Sequence, residues 1–477
     1  MTTPKKKIKS VQTKSASKFG KLNARLGLIT FETAASGTLA VLMLLVSATI
    51  LIGESAGVRI NVNLPESGVV SPFQIIQFTF SEPYNPEIAS ELISIDPIHE
   101  GFIQWVNDST MQFIPLKPFE KNKTYKLNIN PGEISTNGRE VKKKQTWEFQ
   151  VREPRVAYLT SENNQSILWS TNLNGDAPTQ LTSNEIKIIS FDTAANGEFI
   201  IFTSANEKGG IDLWRVGREG GNESMLLNCG FDRCTTPVIA PDNLRIAYSR
   251  EAAGPSPDLP FGSPRIWIFD MNTGDTGPVY ADQQILGYNP SWSPDATRLA
   301  SFDGLSDFIY LIDFLTGDQF LFASNTGGPV TWSPDSTKFL YTTYEQTEDG
   351  GRTQVKLADL SINETITFIG EKDTYDYSYY AITWSPREDR AVLSMRAGRD
   401  QLTQVLWVFD PSLLDGIIVA GDPEYTYNSP QWDPWGDALL FQQFKLRGQY
   451  KPEIGVWKEG ASQYIFLTEG ITPQWLP

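Results

Sequence analysis

The sequence predicts an all-β protein, a β-sandwich followed by a seven-bladed β-propeller, behind one N-terminal membrane-spanning helix. Three observations carry that expectation. An uncharged run of 20 residues occupies 34–53, a length that matches the ~30 Å hydrocarbon core of a bilayer. Short alternating strands separated by Pro, Asn and Gly turns fill 57–152. A unit built on Trp-Ser-Pro-Asp then recurs through 154–477.

Charge and composition narrow the function classes. The 477 residues carry a net charge of -16, with one histidine and two cysteines. Residues 1–26 hold eight basic residues and no acidic ones, so the remainder carries -16 - 8 = -24. Such an acidic body repels nucleic-acid phosphates, which excludes DNA and RNA as partners. A lone His99 excludes His-cluster metal sites, and two cysteines exclude a four-cysteine zinc site. No Gly-rich phosphate loop or calcium loop stands out, so neither a cofactor nor a metal is expected.

Residues 1–30 read as a basic cytoplasmic tail and 31–53 as the transmembrane helix. Lys and Arg flank the apolar run on one side only, which places the tail inside and the C-terminal domains outside a single-pass cell membrane protein. The bilayer is then a partner through residues 34–53. A cleaved signal peptide fits less well, because Glu54 would sit at the small-residue position for cleavage after Ala56. A buried globular helix would show a polar face.

Residues 57–152 read as five to seven short strands, with no helix of note. In 73–81, Ile76, Phe78 and Phe80 share one face. The stretches Ser67-Gly68-Val69-Val70, 75–83 (IIQFTFSEP) and 111–127 (MQFIPLKPFEKNKTYKL) together resemble the SbsA-type bacterial Ig-like domain. Phe119 stands where that pattern has Leu, ahead of Tyr125. The resemblance implies a non-catalytic spacer or adhesion module outside the cell. Glu82 reads as a solvated turn carboxylate, and His99 as a surface or turn residue.

The repeats start near 190, 238, 291, 331, 383, 431 and 474, at intervals of 40–53 residues. Each contains four β segments, the content of one propeller blade. Trp292, Trp332, Trp384 and Trp432 offer bulk between neighbouring blades. Asp295 and Asp335 are placed to bond turn amides. The stretch 155–183 has three strands and lacks a first one, which 471–477 can supply. Seven blades result, with six as the alternative if one degenerate copy is misread. The units resemble the TolB-type, WD40-like propeller repeat of bacterial envelope proteins, a resemblance that implies fold and leaves function open.

Length variation among the loops falls on one predicted propeller face, and loops on a rigid scaffold are where binding resides. Two of these loops are acidic and tyrosine-rich. The first holds Asp373, Tyr375, Asp376, Tyr377, Tyr379 and Tyr380; the second holds Glu424, Tyr425 and Tyr427. Together they form the candidate binding surface, since Tyr offers rigid area and a hydroxyl. Packing of these tyrosines between blades is the competing reading. Cys229 and Cys234 are expected to pair as a disulfide, given an oxidising compartment.

No catalytic residue is assigned. Asp303 and Asp307 could serve a His-independent glycan hydrolase or lyase only if they were paired in space. The expectation is therefore an extracytoplasmic binding or scaffold protein recognising a protein, peptide or envelope polysaccharide. The alternatives are that glycan-active enzyme and a purely structural envelope protein.

Overall fold

The computed structural model describes residues 31–477 apart from 56, 163–164, 257, 348–349, 371–376, 388, 399–400 and 449–450. The basic tail over 1–30 lies outside the described residues.

A helix runs over Phe31–Ser55, but among the described residues no helix is long and apolar enough to cross a membrane. Its described side chains, 35–48, include Ser36, Gly37, Thr38 and Ser47. The expected transmembrane helix over 31–53 is thus corrected. The single-pass placement falls with it.

The next domain is a sandwich of two four-stranded sheets. One contains Ile60–Val62, Ile76–Phe80, Thr110–Pro115 and Gly101–Asn107; the other contains Val69–Val70, Gln145–Val151, Thr124–Ile129 and Ile93–Asp96. Alternation puts Ile76, Phe78 and Phe80 inside, where they meet Tyr125, Leu127 and Phe149 from the facing sheet. Phe119 is fully buried, with its ring 4.9 Å from that of Tyr125 and 5.1 Å from that of Phe149.

One short helix, Pro86–Leu92, corrects the helix-free reading of this region. Its cause is local: Pro86 begins it, and the Asn85 side chain accepts from the backbone N–H groups of Glu87 and Ile88.

Seven four-stranded blades follow among the described residues. Blade one joins Arg155–Glu162, Gln165–Thr171 and Thr179–Gln180 to Ile471–Leu476. Blades two and three begin at Ile188 and Arg233 and share one eight-stranded sheet through a parallel contact of Ile211 with Arg233. Blades four to seven begin at Tyr288, Thr331, Tyr377 and Tyr425.

A recurring contact fixes neighbouring blades. Trp292 Nε1 donates to Val238 O at 3.2 Å, Trp332 to Ser291 O at 3.3 Å, Trp432 to Thr383 O at 3.3 Å and Trp475 to Gln431 O at 3.0 Å. Each indole thus spends its single donor on the innermost strand of the preceding blade, while its ring fills the space between the two sheets. Asp295 and Asp335 act within their own turns, accepting from the amides of Thr297 and Thr337.

Innermost strands also share a bulge. Thr236, Asn289, Ser429 and Thr472 take left-handed backbone angles, each just before a proline. The recurrence of this costly conformation marks it as a feature of the repeat.

The last strand ties the ring together. Val156 pairs with Trp475 within blade one. On the other side, Thr193 Oγ1 donates to Trp475 O at 2.7 Å, and Gln474 Oε1 accepts from Thr193 N at 2.9 Å. Gly197 has φ of +63°, and a Cβ there would collide with Pro477 O. The second blade's turn therefore needs glycine to approach the chain end.

The sandwich docks on the propeller beside these turns. Trp435 Nε1 donates to Phe119 O at 2.9 Å, and Arg152 Nε donates to Pro477 O at 2.9 Å. Lys121 Nζ reaches Asp433 and Asp437 of blade seven at 2.7 and 2.8 Å.

Candidate functional site

The two tyrosine-rich loops do not form one surface among the described residues. Asp373, Tyr375 and Asp376 lie outside the described residues, and for Tyr377 only the backbone is described, paired with Ala397. Tyr380 is exposed. Tyr379 and Tyr427 correct the expected surface, because both are core residues. Tyr379 packs with Leu340, Ile382 and Leu393. Tyr427 is wholly buried against Phe441, its hydroxyl 3.1 Å from that of Tyr464 and accepting from Asp422 N at 3.2 Å. Burial drives the Tyr427 phenol above its ordinary range, so it stays protonated.

Tyr425 and Glu424 have a different setting. After the last strand of blade six, Asp415–Ala420, the chain turns through 421–424 into blade seven. Asp422 builds that turn: its carbonyl accepts from Tyr425 N at 3.0 Å and its Oδ1 from Glu424 N at 2.8 Å. Glu424 is exposed and 3.6 Å from Lys445. Tyr425 turns into a groove of about 620 Å³ between the outer parts of blades six and seven.

One wall of this groove is Ile418 to Asp422. The other is supplied by Tyr464 and Phe466 from the third-to-fourth connection and outermost strand of blade seven. Its floor is Gln443, buried, with Glu453 beside it. Gln443 Nε2 donates to Glu453 Oε2 at 2.6 Å, while Gln443 Oε1 has no hydrogen-bond partner. Burial also raises Tyr464, which pairs with Tyr427 rather than ionising. The groove therefore offers aromatic and aliphatic walls above a floor of acceptors.

Gln443, Glu453, Tyr464 and Phe466 escaped the sequence reading, which looked only at one class of loop. A signal was present. The connection 459–464 in blade seven has six residues where blade four has the five of 314–318, and it ends in Tyr464.

The other carboxylates weighed for chemistry are committed to structure. Asp303 is buried and accepts from the amides of Leu286 and Leu305 and from Ser306 Oγ. Asp307 sits in the same turn, its amide donating to Asp303 O. Glu82 pairs with Arg139, which corrects its reading as a solvated turn carboxylate. Asp192 accepts from Ile239 N at 2.7 Å, joining blades two and three, and burial pushes its carboxyl up to about 7.

His99 lies in the sandwich, stacked 4.2 Å from Phe119 and 2.8 Å from Lys117 O. Among the described residues no group of His, Cys, Asp and Glu could hold a metal. Cys229, in the connection between blades two and three, is disulfide-bonded to Cys234 in the first strand of blade three.

Among curated proteins none matches the sequence. Solved structures with related architecture include TolB from Acinetobacter baumannii, 15% identical over 68% of this chain and 82% of that one, with a TM-score of 0.41. An oligogalacturonate lyase from Vibrio parahaemolyticus is 14% identical over 67% and 88%, with a TM-score of 0.46. The dipeptidyl peptidase 4 of Porphyromonas gingivalis is 12% identical over 59% and 46%, with a TM-score of 0.42. Within the chain, residues 58–151 match the family model of the bacterial Ig-like domain, Big_5.

Proposed function

We propose that this chain is a non-catalytic, extracytoplasmic binding or scaffold protein. In this reading the Ig-like domain, of SbsA type by its motifs, is the spacer. The propeller recognises a protein, peptide or envelope polysaccharide through the groove between blades six and seven. The observation that carries the reading is the groove itself: about 620 Å³, open, and walled by Tyr425, Tyr464 and Phe466. Aromatic side chains over a few fixed polar groups suit recognition. The Cys229–Cys234 bond fits an oxidising compartment. A non-catalytic role is supported by Asp303, whose oxygens already serve two amides and a hydroxyl.

The test uses the full chain and a variant carrying Tyr425→Ala and Phe466→Ser. Both are assayed for retention on immobilised envelope peptides and cell-wall glycans, beside a reducing-end assay. The reading expects retention of the wild type, loss in the variant and no product from either. Product release abolished by a single carboxylate substitution would replace it with the glycan-active reading.

A further inference from the structure

We propose that the groove between blades six and seven is selective for a cationic nitrogen group, an alkylammonium or guanidinium carried on an apolar stem, as in a lysine or arginine side chain of a partner. This inference rests on the recognition reading above and adds the chemistry of what is recognised.

The first argument is the direction of the hydrogen bonds. The amide of Gln443 is oriented by Glu453: its Nε2 donates to the carboxylate at 2.6 Å. The flipped amide would set its carbonyl oxygen against that carboxylate, so the orientation is decided by electrostatics. Gln443 Oε1 is left buried with no partner. A buried acceptor without a donor is unfavourable, and a ligand donor that reaches it relieves that cost.

Charge makes the second argument. The groove lining includes the carboxylates of Asp422 and Glu453, and none of the lining residues is basic. A ligand entering here must donate hydrogen bonds, and a positive one gains most. Lys445, 5.8 Å from the Tyr425 ring, does not line the groove, and Glu424 at 3.6 Å already pairs its charge. The long-range field agrees, since residues 27–477 carry -16 - 8 = -24 and draw cations inward.

The walls set the shape of the ligand. Ile418, Val419, Tyr425 and Phe466 offer apolar and aromatic surface leading to the acceptors. A methylene stem ending in a charged head matches that sequence of surfaces. A neutral sugar would leave the carboxylates uncompensated, and an anion would be repelled by them.

Isothermal titration of the full chain tests this with four probes: an Ala-Lys-Ala peptide with acetylated N-terminus and amidated C-terminus, the same peptide also acetylated on the lysine, Ala-Glu-Ala blocked in the same way, and free pentylamine. The proposal expects Ala-Lys-Ala to bind at least tenfold more tightly than the lysine-acetylated and acidic peptides. Pentylamine measures how much of the affinity comes from the stem and head alone. Gln443→Met should weaken Ala-Lys-Ala binding about tenfold, and Asp422→Asn, at an exposed position, should weaken it severalfold with the melting temperature unchanged. Should Gln443→Met fail to fold, Asp422→Asn decides. Equal affinity for the lysine and acetyl-lysine peptides, or no binding of any amine at millimolar concentration, overturns the proposal. If the amines fail while envelope retention still depends on Tyr425 and Phe466, the charge chemistry is wrong and the recognition reading survives.

Discussion

Lys121 of the Ig-like domain places its ammonium 2.7 Å from the buried carboxylate of Asp433 in blade seven, so the two domains are joined by a charge pair. The pair is reinforced on both sides. Lys121 also reaches Asp437 at 2.8 Å and lies 4.2 Å over the Trp435 ring. Burial pulls the Lys121 pKa down, but hydrogen bonds to both carboxylates outweigh it and hold the amine above its ordinary value. Burial pushes Asp433 up, against the pull of Lys121.

Breaking this pair from one side leaves a charge without its partner. Lys121→Met is expected to cost about 1–3 kcal/mol, toward the lower end because the lysine is partly exposed. Asp433→Asn should cost less than Lys121→Met, because an Asn oxygen can still accept from the amides of Asp437 and Ala438. Urea unfolding of the two variants checks the order, and a larger loss for Asp433→Asn would refute the account of the junction.

The inter-blade indoles supply a second prediction. Trp332→Phe keeps a ring between blades four and five but removes the donor to Ser291 O. A loss of about 1–2 kcal/mol is expected, since the carbonyl loses its partner. Trp475→Phe, which removes the donor to Gln431 O, should cost a similar amount. Were the terminal strand loosely held, the Trp475 substitution would be neutral while the Trp332 one was not; melting temperatures of the pair decide.

This regularity explains what could be read from the sequence. Trp292, Trp332 and Trp432 recur because the fold demands the same contact in each blade, so spacing alone exposes them. Tyr379 and Tyr427 could not be placed in the same way. Tyr suits a core and a binding surface equally, and which one it meets depends on packing from distant strands such as Ala438–Lys445. Gln443 was hidden for the opposite reason: it looks like an ordinary strand residue until Glu453 fixes its amide. The expected membrane helix over 31–53 is not sustained, because among the described residues no helix is long and apolar enough to cross a membrane.

Tyr427 tests the corrected role of the second loop. Tyr427→Phe removes the hydroxyl that meets Tyr464 and accepts from Asp422 N, at an expected cost of about 1–2 kcal/mol. Tyr380→Ala, at an exposed position, should change stability by under about 0.5 kcal/mol. The reverse order in thermal unfolding would return Tyr427 to the surface and Tyr380 to the core.

Asp192 gives a pH dependence of defined sign. Its carboxyl is raised by burial to about 7 in the folded chain. The folded state therefore holds this proton where the unfolded chain has released it. That contribution to stability is present at low pH and is lost as pH rises from about 4 towards 7. Asp192→Asn keeps an acceptor for Ile239 N and removes the titration. The stability difference between wild type and variant should shift in favour of the variant across that window; a difference that is flat with pH contradicts the assignment.

Site-specific photo-crosslinking tests the placement of recognition most directly. A photoreactive aromatic residue is introduced in place of Phe466, in the groove wall, and separately in place of Leu321, an exposed residue on the outermost strand of blade four. Each full-length chain is irradiated with the envelope peptides and glycans. Adducts at position 466 and none at 321 are predicted; equal labelling at both, or labelling at 321 alone, contradicts recognition by the blade six–seven groove.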